Sequence, residues 1–384
     1  MFLQILKIIL LIPNVYIMLT LVFLIIFKIY DIFRIRGTIN IIEYPEISIL
    51  IPAHNEGKVI GDTVNSIKKQ INSYNNNIQI IVIVHNCTDN TLEILKNIDG
   101  IEIIECNTGN TKGDALNIGL KSVKYEWTCV IDSDTFLPDN YFKKVFKQVS
   151  FYEYDAIQTQ VRSSNKSFLA DMSDFECVIH GKTKQYLFDK GNFALLGGTG
   201  QFVKTNIIKE CNGWSNNLAD DTELSIRILE KGYKIGFTDK TCVYIQAVTS
   251  IKAFIKQRTR WCQGNTSLIF KIWNINLIKS INIFFCVNGI LLSPFVKISN
   301  ILFLINFIIF NDLNFGLYCI VPYLSLLIFA CIIGKINPLK IVIYYLYSQL
   351  VYLVYLNTFY KIITKDNKWA KTERLGNAVL KNVI

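Results

Sequence analysis

Short apolar runs alternate with segments of amphipathic spacing between about residues 46 and 245. The apolar runs are rich in β-branched residues and predict buried strands at 47–51, 78–84, 101–105 and 128–131. Between them, apolar residues recur at helical spacing and predict helices at 61–70, 91–97 and 114–123. The alternation therefore predicts an α/β domain with a mostly parallel sheet that is covered on both faces by helices.

The two ends of the chain are far more apolar than this central part. Residues 8–27 contain no charged side chain and are long enough to cross the hydrocarbon layer of a bilayer, which is about 30 Å thick. Further apolar blocks lie near 281–310, 316–333 and 341–360. Three crossings here would leave the tail outside the cell, whereas its lysines indicate the cytoplasm. Either the first of these blocks crosses twice, or the last one is re-entrant or interfacial.

Charge around the apolar blocks predicts the orientation of the chain. Lys28, Arg34 and Arg36 outnumber Lys7 on the other side of the first block, which places the central domain in the cytoplasm. We therefore expect a multi-pass integral protein of the inner (plasma) membrane. Its predicted parts are an N-terminal transmembrane helix at 1–35, the α/β domain at 46–245, amphipathic interfacial helices at 246–280, C-terminal transmembrane helices at 281–360 and a basic cytoplasmic tail at 361–384.

Composition agrees with a membrane protein and excludes several other classes. The mean hydropathy of +0.32 and the apolar fraction of 51% are too high for an ordinary soluble protein. The net charge of +10 is explained by lysines beside anionic lipid headgroups, and no basic stripe with interleaved aromatic residues predicts a nucleic acid partner. The 10 cysteines contain no Cys-x-x-Cys pair, so they predict small buried side chains in a reducing compartment.

Asp132-Ser133-Asp134 directly follows the predicted strand at 128–131. Alternate residues of an extended segment point to the same side, so both carboxylates can address one hard cation. Mg²⁺ and Mn²⁺ favour one or two carboxylates together with phosphate oxygens, and open α/β sheets bind ligands at the carboxyl ends of their strands. The pair predicts a site for a metal and a diphosphate, and the alternative is a solvated acidic turn.

Polar clusters also follow the other predicted strands, and they contain Ala53, Asn55, Glu56, Asn86, Asp89 and Lys112. Asp89 can accept a hydrogen bond from a nucleobase or a ribose, and Lys112, next to a glycine, suits a phosphate. Each cluster alone also fits a turn or a helix cap. Because the clusters converge on one edge of one sheet, together they favour a ligand site.

Two clusters further along the chain suit a substrate with a reactive hydroxyl group or a bulky ligand. Asp220 and Asp221 directly precede a predicted helix at 222–231, where an aspartate serves either as a cap or as a general base held near a hydroxyl group. A helix N-terminus lowers the pKa of a carboxylate, which opposes basicity unless burial raises the pKa again. Gly198 and Thr199 lie in a glycine-rich segment that either allows close approach of a bulky ligand or is only a tight turn.

A basic, amphipathic segment with the sequence Gln257-Arg258-Thr259-Arg260-Trp261 lies just before the C-terminal apolar blocks. On a helix, Gln257, Arg260 and Trp261 share one face. Arginine suits phosphate because its guanidinium forms a bidentate fork, and tryptophan offers a flat apolar surface to a sugar ring. The alternative is an interfacial helix anchored by its aromatic and basic residues.

In this order the motifs resemble those of the membrane-embedded family 2 glycosyltransferases, the group of the cellulose, chitin and hyaluronan synthases. The resemblance covers about residues 46–265 and depends most on the Gln-x-x-Arg-Trp motif after an acidic helix start. It implies a GT-A fold, which is Rossmann-like, and a UDP-sugar donor. It also implies a divalent cation, Mg²⁺ or Mn²⁺, and inversion at the anomeric carbon.

The resemblance also implies roles for single residues. It assigns Asp89 to the uridine, Asp132 and Asp134 to the diphosphate and metal, Asp221 to the general base, and Gln257, Arg260 and Trp261 to the diphosphate and the acceptor end. It places Ala53, Asn55, Glu56, Asn86, Lys112 and Ser133 at the donor, and Gly198, Thr199 and Asp220 at the acceptor or diphosphate. One departure is His85-Asn86, where the family often has an Asp-Asp pair, and this alters the contact to the base.

Three functions are compatible with the sequence. The leading hypothesis is a processive synthase that extends a polysaccharide from a UDP-sugar and passes the chain through its own membrane helices. The second is a non-processive transferase that glycosylates a membrane lipid, as ceramide glucosyltransferases do. The third is a non-enzymatic transporter or scaffold in which the aspartates only cap helices. The first two have membrane lipids as neighbours, and none needs a nucleic acid.

Overall fold

The computed structural model describes residues 44–191, 194–268, 324–325, 343–344 and 347–364. The predicted N-terminal transmembrane helix, most of the C-terminal apolar blocks and nearly all of the basic tail lie outside these described residues. Within the described ranges, no helix has both the length and the apolar character needed to cross a bilayer.

The described residues fold into strands and helices in an order that alternates along the first half of the chain. The strands are β1 (Ile47–Ala53), β2 (Ile78–His85), β3 (Glu102–Cys106), β4 (Trp127–Val130), β5 (Thr135–Phe136), β6 (Ala156–Ser163), β7 (Gln201–Lys204) and β8 (Ile235–Ile245). The helices are α1 (Ile60–Tyr74), α2 (Thr91–Lys96), α3 (Lys112–Leu120), α4 (Tyr141–Tyr152), α5 (Phe168–Gly191), α6 (Thr205–Glu210), α7 (Asp220–Glu230), α8 (Ile251–Ser267) and α9 (Leu350–Ile363).

All eight strands form one mixed sheet in the order β3-β2-β1-β4-β7-β6-β8-β5. Strands β3, β2, β1 and β4 are parallel to one another, as the alternating pattern predicted. Strand β7 is antiparallel to both of its neighbours, β4 and β6, and β6 pairs with β8 in parallel. The α/β class with a parallel half-sheet is therefore confirmed, and the antiparallel insertion of β7 is a feature that the pattern did not predict.

Two predicted helix starts are each wrong by two residues. Helix α3 begins at Lys112, two residues earlier than predicted, because Thr111 and Asp114 form a reciprocal capping box: Thr111 Oγ1 accepts from Asp114 N at 3.1 Å, and Asp114 Oδ2 accepts from Thr111 N at 3.0 Å. Helix α7 begins at Asp220, so both aspartates lie in its first turn. Its N-cap is Ala219, which forms no side-chain cap hydrogen bond, so neither aspartate acts as the N-cap.

The main core lies on both faces of the sheet, and a smaller second core joins α8 to α5 and α9. Ile49, Leu50 and Ile51 of β1 are fully buried because helices cover both sheet faces. The second core contains Phe175 of α5, Phe254 of α8 and Val354 of α9, among others. Burying each such side chain stabilises the fold by about 1.5–3 kcal/mol, and the second core thereby holds α8 against the α/β domain.

Candidate active site

The predicted polar clusters meet at one edge of the sheet because of the strand directions. Strands β1 to β4 are parallel, so the segments that follow their carboxyl ends come together there. Strand β7 runs the opposite way, which brings the glycine-rich segment that precedes it, residues 197–200, to the same edge. Gly200 N donates to the carbonyl of Val130, the last residue of β4, at 2.9 Å.

Lys112 connects three parts of this edge. Its Nζ donates to Asp132 Oδ1 at 2.5 Å and to the carbonyl oxygen of Gly198 at 2.6 Å. Burial by itself would lower the pKa of Lys112, but the nearby carboxylates of Asp132, Asp220 and Asp221 outweigh this effect and raise it. The lysine therefore stays charged and holds the first residue of the Asp-x-Asp pair beside the glycine-rich segment.

Gly198 marks the position where the catalytic candidates face one another. A Cβ atom on Gly198 would lie 3.2 Å from Lys112 Nζ and 3.7 Å from both Asp132 Oδ2 and Asp221 Oδ2. Residues 20 to about 100 positions apart in sequence thus direct a cation and two carboxylates toward the same small space. The structure thus brings Lys112, Asp132, Gly198 and Asp221 together, and their roles at a substrate stay predictions.

Ser133 and Thr199 shape the turn that presents Asp132, and Asp134 is buried next to Ser133. Thr199 Oγ1 accepts from Asp132 N at 3.0 Å, and the carbonyl of Ser133 accepts from Thr63 Oγ1 at 2.8 Å. The exposed fractions of Ser133, Asp134 and Thr199 are 6%, 3% and 6%. Ser133 and Thr199, predicted as ligand contacts, form hydrogen bonds that position Asp132 and its turn.

The carboxylates present fit a divalent cation that also binds a diphosphate. Asp132 and Asp134 carry the hard oxygen donors that Mg²⁺ and Mn²⁺ prefer. Asp132 Oδ2 faces the space beside Gly198, and Asp134 is 3% exposed. Among the residues that the structure describes, no group of three or more His, Cys, Asp or Glu side chains is placed to hold a metal by itself. Phosphate oxygens and water molecules would complete the coordination sphere, as is usual for Mg²⁺ sites.

The predicted nucleoside residues fasten the loops after β1 and β2 to each other. Asn55 Oδ1 accepts from Thr88 N at 2.6 Å and from Asp89 N at 3.2 Å, and Asp89 Oδ2 accepts from Gly57 N at 3.0 Å. Asp89 remains exposed and can still accept from a ligand. The Oδ1 atom of Asn55, by contrast, is used in the hydrogen bonds that join the two loops.

The other residues predicted to contact the sugar donor either form hydrogen bonds within the protein or are buried. Glu56 N donates to Thr91 Oγ1 at 2.8 Å, Asn86 Nδ2 donates to the carbonyl of Gly109 at 2.9 Å, and Ala53 is 1% exposed. Asn86 has a φ of 49°, a left-handed conformation that asparagine tolerates better than most residues. The residue that replaces the family's usual aspartate therefore also supports an unusual turn.

Helix α7 gives its two adjacent aspartates different environments. Asp221 Oδ1 accepts from Thr222 N at 2.7 Å, and its Oδ2 faces Gly198. Asp220 is 7% exposed, and its Oδ2 forms no hydrogen bond within the described part of the chain. Burial, together with the negative charge of Asp221, raises the pKa of Asp220 to about 7. Of the two aspartates, Asp221 is therefore the one whose carboxylate faces Gly198.

Helix α8 carries the Gln257–Trp261 motif and meets the start of α7. A Cβ on Gly264 of α8 would lie 2.8 Å from the backbone nitrogen of Ala219, the N-cap of α7. Trp261 is 37% exposed, and Gln257 and Arg260 are half-buried. The structure thus brings the helix of these three residues against the start of α7.

Several residues that support the site were missed in the sequence. Gln158 of β6 is buried, donates to the carbonyl of Thr199 at 2.8 Å and accepts from Gly197 N at 2.7 Å. Arg258 donates to Glu176 at 2.5 Å, and its Cζ lies 4.7 Å from the centroid of a Trp261 ring. A glutamine among buried strand residues was the one local signal for Gln158, and nothing in the sequence pairs Arg258 with Glu176.

Comparison with known proteins identifies the family. Residues 45–264, more than half of the chain, match the family described as "Glycosyltransferase like family 2". The chain belongs to this family. It is therefore a glycosyltransferase, and the transporter and scaffold hypothesis is set aside. The matched region includes the edge of the sheet around Gly198 and the whole Gln257–Trp261 motif.

Relatives of this glycosyltransferase carry names with different products. It is 27% identical over 381 residues to the probable glycosyltransferase YdaM of Bacillus subtilis (strain 168), covering 87% of this chain and 88% of that one. It is 24% identical to the beta-monoglucosyldiacylglycerol synthase of Synechocystis sp., covering 62% and 52%. It is 26% identical to the poly-beta-1,6-N-acetyl-D-glucosamine synthase of Staphylococcus epidermidis, covering 62% and 59%. The chain thus spans little more than half of the last two relatives.

A solved structure has the same fold. The mannosyltransferase PcManGT from Pyrobaculum calidifontis, in complex with GDP-Man and Mn²⁺, matches with a TM-score of 0.66 and 13% identity, covering 93% of this chain and 99% of that one. At this identity the likeness extends to the fold alone. It supports the prediction of a GT-A-like, mixed α/β fold.

Proposed function

We propose that this glycosyltransferase transfers a sugar from a UDP-sugar, with inversion, to the end of a growing β-glycan at the cytoplasmic face of the inner membrane. We further propose that it passes the glycan through its own membrane helices. The observation that carries the chemical part is the convergence of Lys112, Asp132 and Asp221 beside Gly198. The name of the staphylococcal polymer-forming relative favours a polysaccharide product.

In this proposal each charged group has one task. Asp221 accepts the proton of the attacking hydroxyl group, which requires that its carboxylate stay ionised and reach within about 3 Å of that oxygen. Lys112 holds Asp132 in place and adds positive charge where the diphosphate departs. A Mg²⁺ or Mn²⁺ ion held by Asp132 and Asp134 would neutralise negative charge on the leaving diphosphate.

Helix α9 supports the placement at a membrane. Leu356, Phe359 and Ile363 lie on one face and are 68%, 66% and 64% exposed. On the opposite face Val354 is buried in the second core, and Asn357 Nδ2 donates to Thr259 Oγ1 of α8 at 3.1 Å. Large apolar side chains grouped on one exposed face are costly in water and suit contact with lipid.

Glycosylation of a membrane lipid is the second candidate function. The cyanobacterial relative named as a beta-monoglucosyldiacylglycerol synthase favours it. Both functions use the same donor and the same base, and they differ only in the acceptor. The solubility of the product therefore distinguishes them.

The test uses the full-length protein with Mn²⁺ and radiolabelled UDP-GlcNAc or UDP-glucose. We expect release of UDP and labelled polymer of high mass that stays in the aqueous phase. Label that extracts into organic solvent would support the lipid product, and aqueous products with only one or two added sugars would refute processivity.

A matched variant tests the chemistry. Asp221→Asn keeps the size of the side chain but removes the base, so transfer should fall by about 10²–10⁴-fold. Full activity of this variant would refute the role of Asp221.

A further inference from the structure

Residues 213–219 lead directly into Asp220 and Asp221, and we call them the strap. The strap lies between α3, which carries Lys112, and α8, which carries the Gln257–Trp261 motif. Its start has a left-handed glycine, Gly213, with a φ of 69°. Whatever fixes the strap also fixes the position of the first turn of α7, because the chain is continuous.

On the side of Lys112, α3 contacts the strap through Asn117 and Gly113. Asn117 Nδ2 donates to the carbonyl of Trp214 at 2.7 Å, and Asn117 Oδ1 accepts from the backbone nitrogen of the same residue at 2.9 Å. A Cβ on Gly113 would collide with the carbonyl oxygen of Ser215. Backbone therefore packs directly on backbone here, and this contact lies next to Lys112.

On the side of the Gln257–Trp261 motif, α8 contacts the other end of the strap. Gly264 approaches Ala219 so closely that an added Cβ would lie 2.8 Å from its nitrogen and 2.9 Å from its Cβ. Asn217 Nδ2 donates to Ser267 Oγ at 2.9 Å, and Asn217 Oδ1 accepts from Ala219 N at 3.2 Å. Helix α8 thus contacts Ala219, the residue that precedes Asp220.

We propose that Asn217 and Gly264 are positioning residues that set the place of Asp221 relative to Lys112 by clamping the strap against α8. This inference rests on the proposed role of Asp221 as the base. Both residues contact Ala219 and act through it on the start of α7. A shift of about 1 Å in a reacting group is enough to lower the rate about 10²-fold. A loosened strap should therefore slow transfer without weakening the binding of the nucleotide-sugar donor.

The first test compares Asn217→Ala with Asn217→Asp in the full-length protein. Asn217→Ala loses both hydrogen bonds, and kcat for transfer should fall by about tenfold or more, while the Kd for UDP with Mn²⁺ should change by less than about twofold because Lys112 and Asp132 keep their own contacts. Asn217→Asp loses the Nδ2 donor, but its carboxylate can still accept from Ala219 N and from Ser267 Oγ, both of which donate to Asn217 Oδ1 in the structure, so it should restore most of kcat.

A second test addresses the backbone contact. Gly264→Ala should lower kcat by about 10–10²-fold, again with UDP binding kept. Gly61→Ala is the matched control in a helix, because its Cβ would meet Ile94 Cγ2 at an ordinary 3.5 Å, and it should leave kcat unchanged.

The outcomes separate this inference from the proposed function. If Asn217→Ala and Gly264→Ala keep the kcat of the parent protein while Asp221→Asn loses activity, the positioning role is refuted and the proposed function stands. Equal losses of kcat and UDP binding, or no recovery in Asn217→Asp, would also refute the positioning role, because they indicate general disruption. If Asp221→Asn keeps activity, the proposed role of Asp221 as the base fails, and the positioning role fails with it whatever the strap variants do.

Discussion

Replacing Asp220 with asparagine should stabilise the protein at pH 8 and have no effect on its stability near pH 4. The carboxyl group is buried, and its pKa is raised from 3.8 to about 7, chiefly by burial and then by the charge of Asp221. Between these two values the folded state binds a proton that the unfolded state has lost. Stability therefore falls as the pH rises through this window.

The magnitude follows from the size of the shift. One pKa unit corresponds to about 1.4 kcal/mol, so a shift of roughly three units gives up to about 4 kcal/mol above pH 7. Asparagine is neutral at every pH and nearly isosteric, so it avoids this penalty. Since Asp220 Oδ2 makes no hydrogen bond within the described residues, the substitution breaks none at that atom. At about 2–4 °C per kcal/mol, Tm should rise by up to roughly 8–16 °C at pH 8.

The assay is thermal unfolding between pH 4 and pH 8.5, followed by intrinsic fluorescence without UDP or divalent cation. The gain in Tm of Asp220→Asn over the parent protein should be largest at pH 8 and should vanish as the pH approaches 4. Asp139→Asn removes one exposed carboxylate and controls for the change in net charge. A Tm difference that is independent of pH, or a loss of stability at pH 8, would contradict the reasoning.

Three further predictions concern the same site. Lys112→Met leaves Asp132 facing the other carboxylates without its cation, so the free energy of unfolding in a urea titration should fall by about 1–3 kcal/mol; no change would refute the structural role of the pair. Arg258→Lys loses the planar fork that binds Glu176 and lies over Trp261, so tryptophan emission should shift to the red and unshifted emission would argue against this contact. Chelation of divalent cations should abolish transfer and added Mn²⁺ or Mg²⁺ should restore it; activity in excess chelator would rule out the proposed cation.

Local patterns were sufficient for the elements of the parallel half-sheet. Strands β1 to β4 are short β-branched runs, and each connection contains a helix whose spacing is visible in the sequence. The same patterns failed at helix starts, because the start of α3 depends on a hydrogen-bonded box between Thr111 and Asp114. The predicted N-terminal transmembrane helix and most of the predicted C-terminal ones lie outside the described residues, and all of them stay predictions.

The sequence predicted which polar residues lie near the site, but it did not predict which contacts each of them forms. Asn55 and Thr199 are polar residues near strand ends, and only their contacts show that they hold loops and turns. Gln158 and Asn217 carry no motif, yet each holds a backbone segment next to a catalytic candidate. A hydrogen-bond partner distant in sequence cannot be read from the residue alone, because the pairing depends on how the elements pack.

The sequence by itself determined the family-specific set of charged residues, the α/β class and the edge of the parallel strands where ligands bind, because hydrophobic period and strand-end position are local properties. Tertiary structure decided the rest. The antiparallel direction of β7 brought Gly198 to that edge, and the rotation of α7 made Asp221 face the site while Asp220 is buried. Adjacent residues of a helix point about 100° apart, so which of two aspartates faces the substrate depends on the packing that fixes the helix.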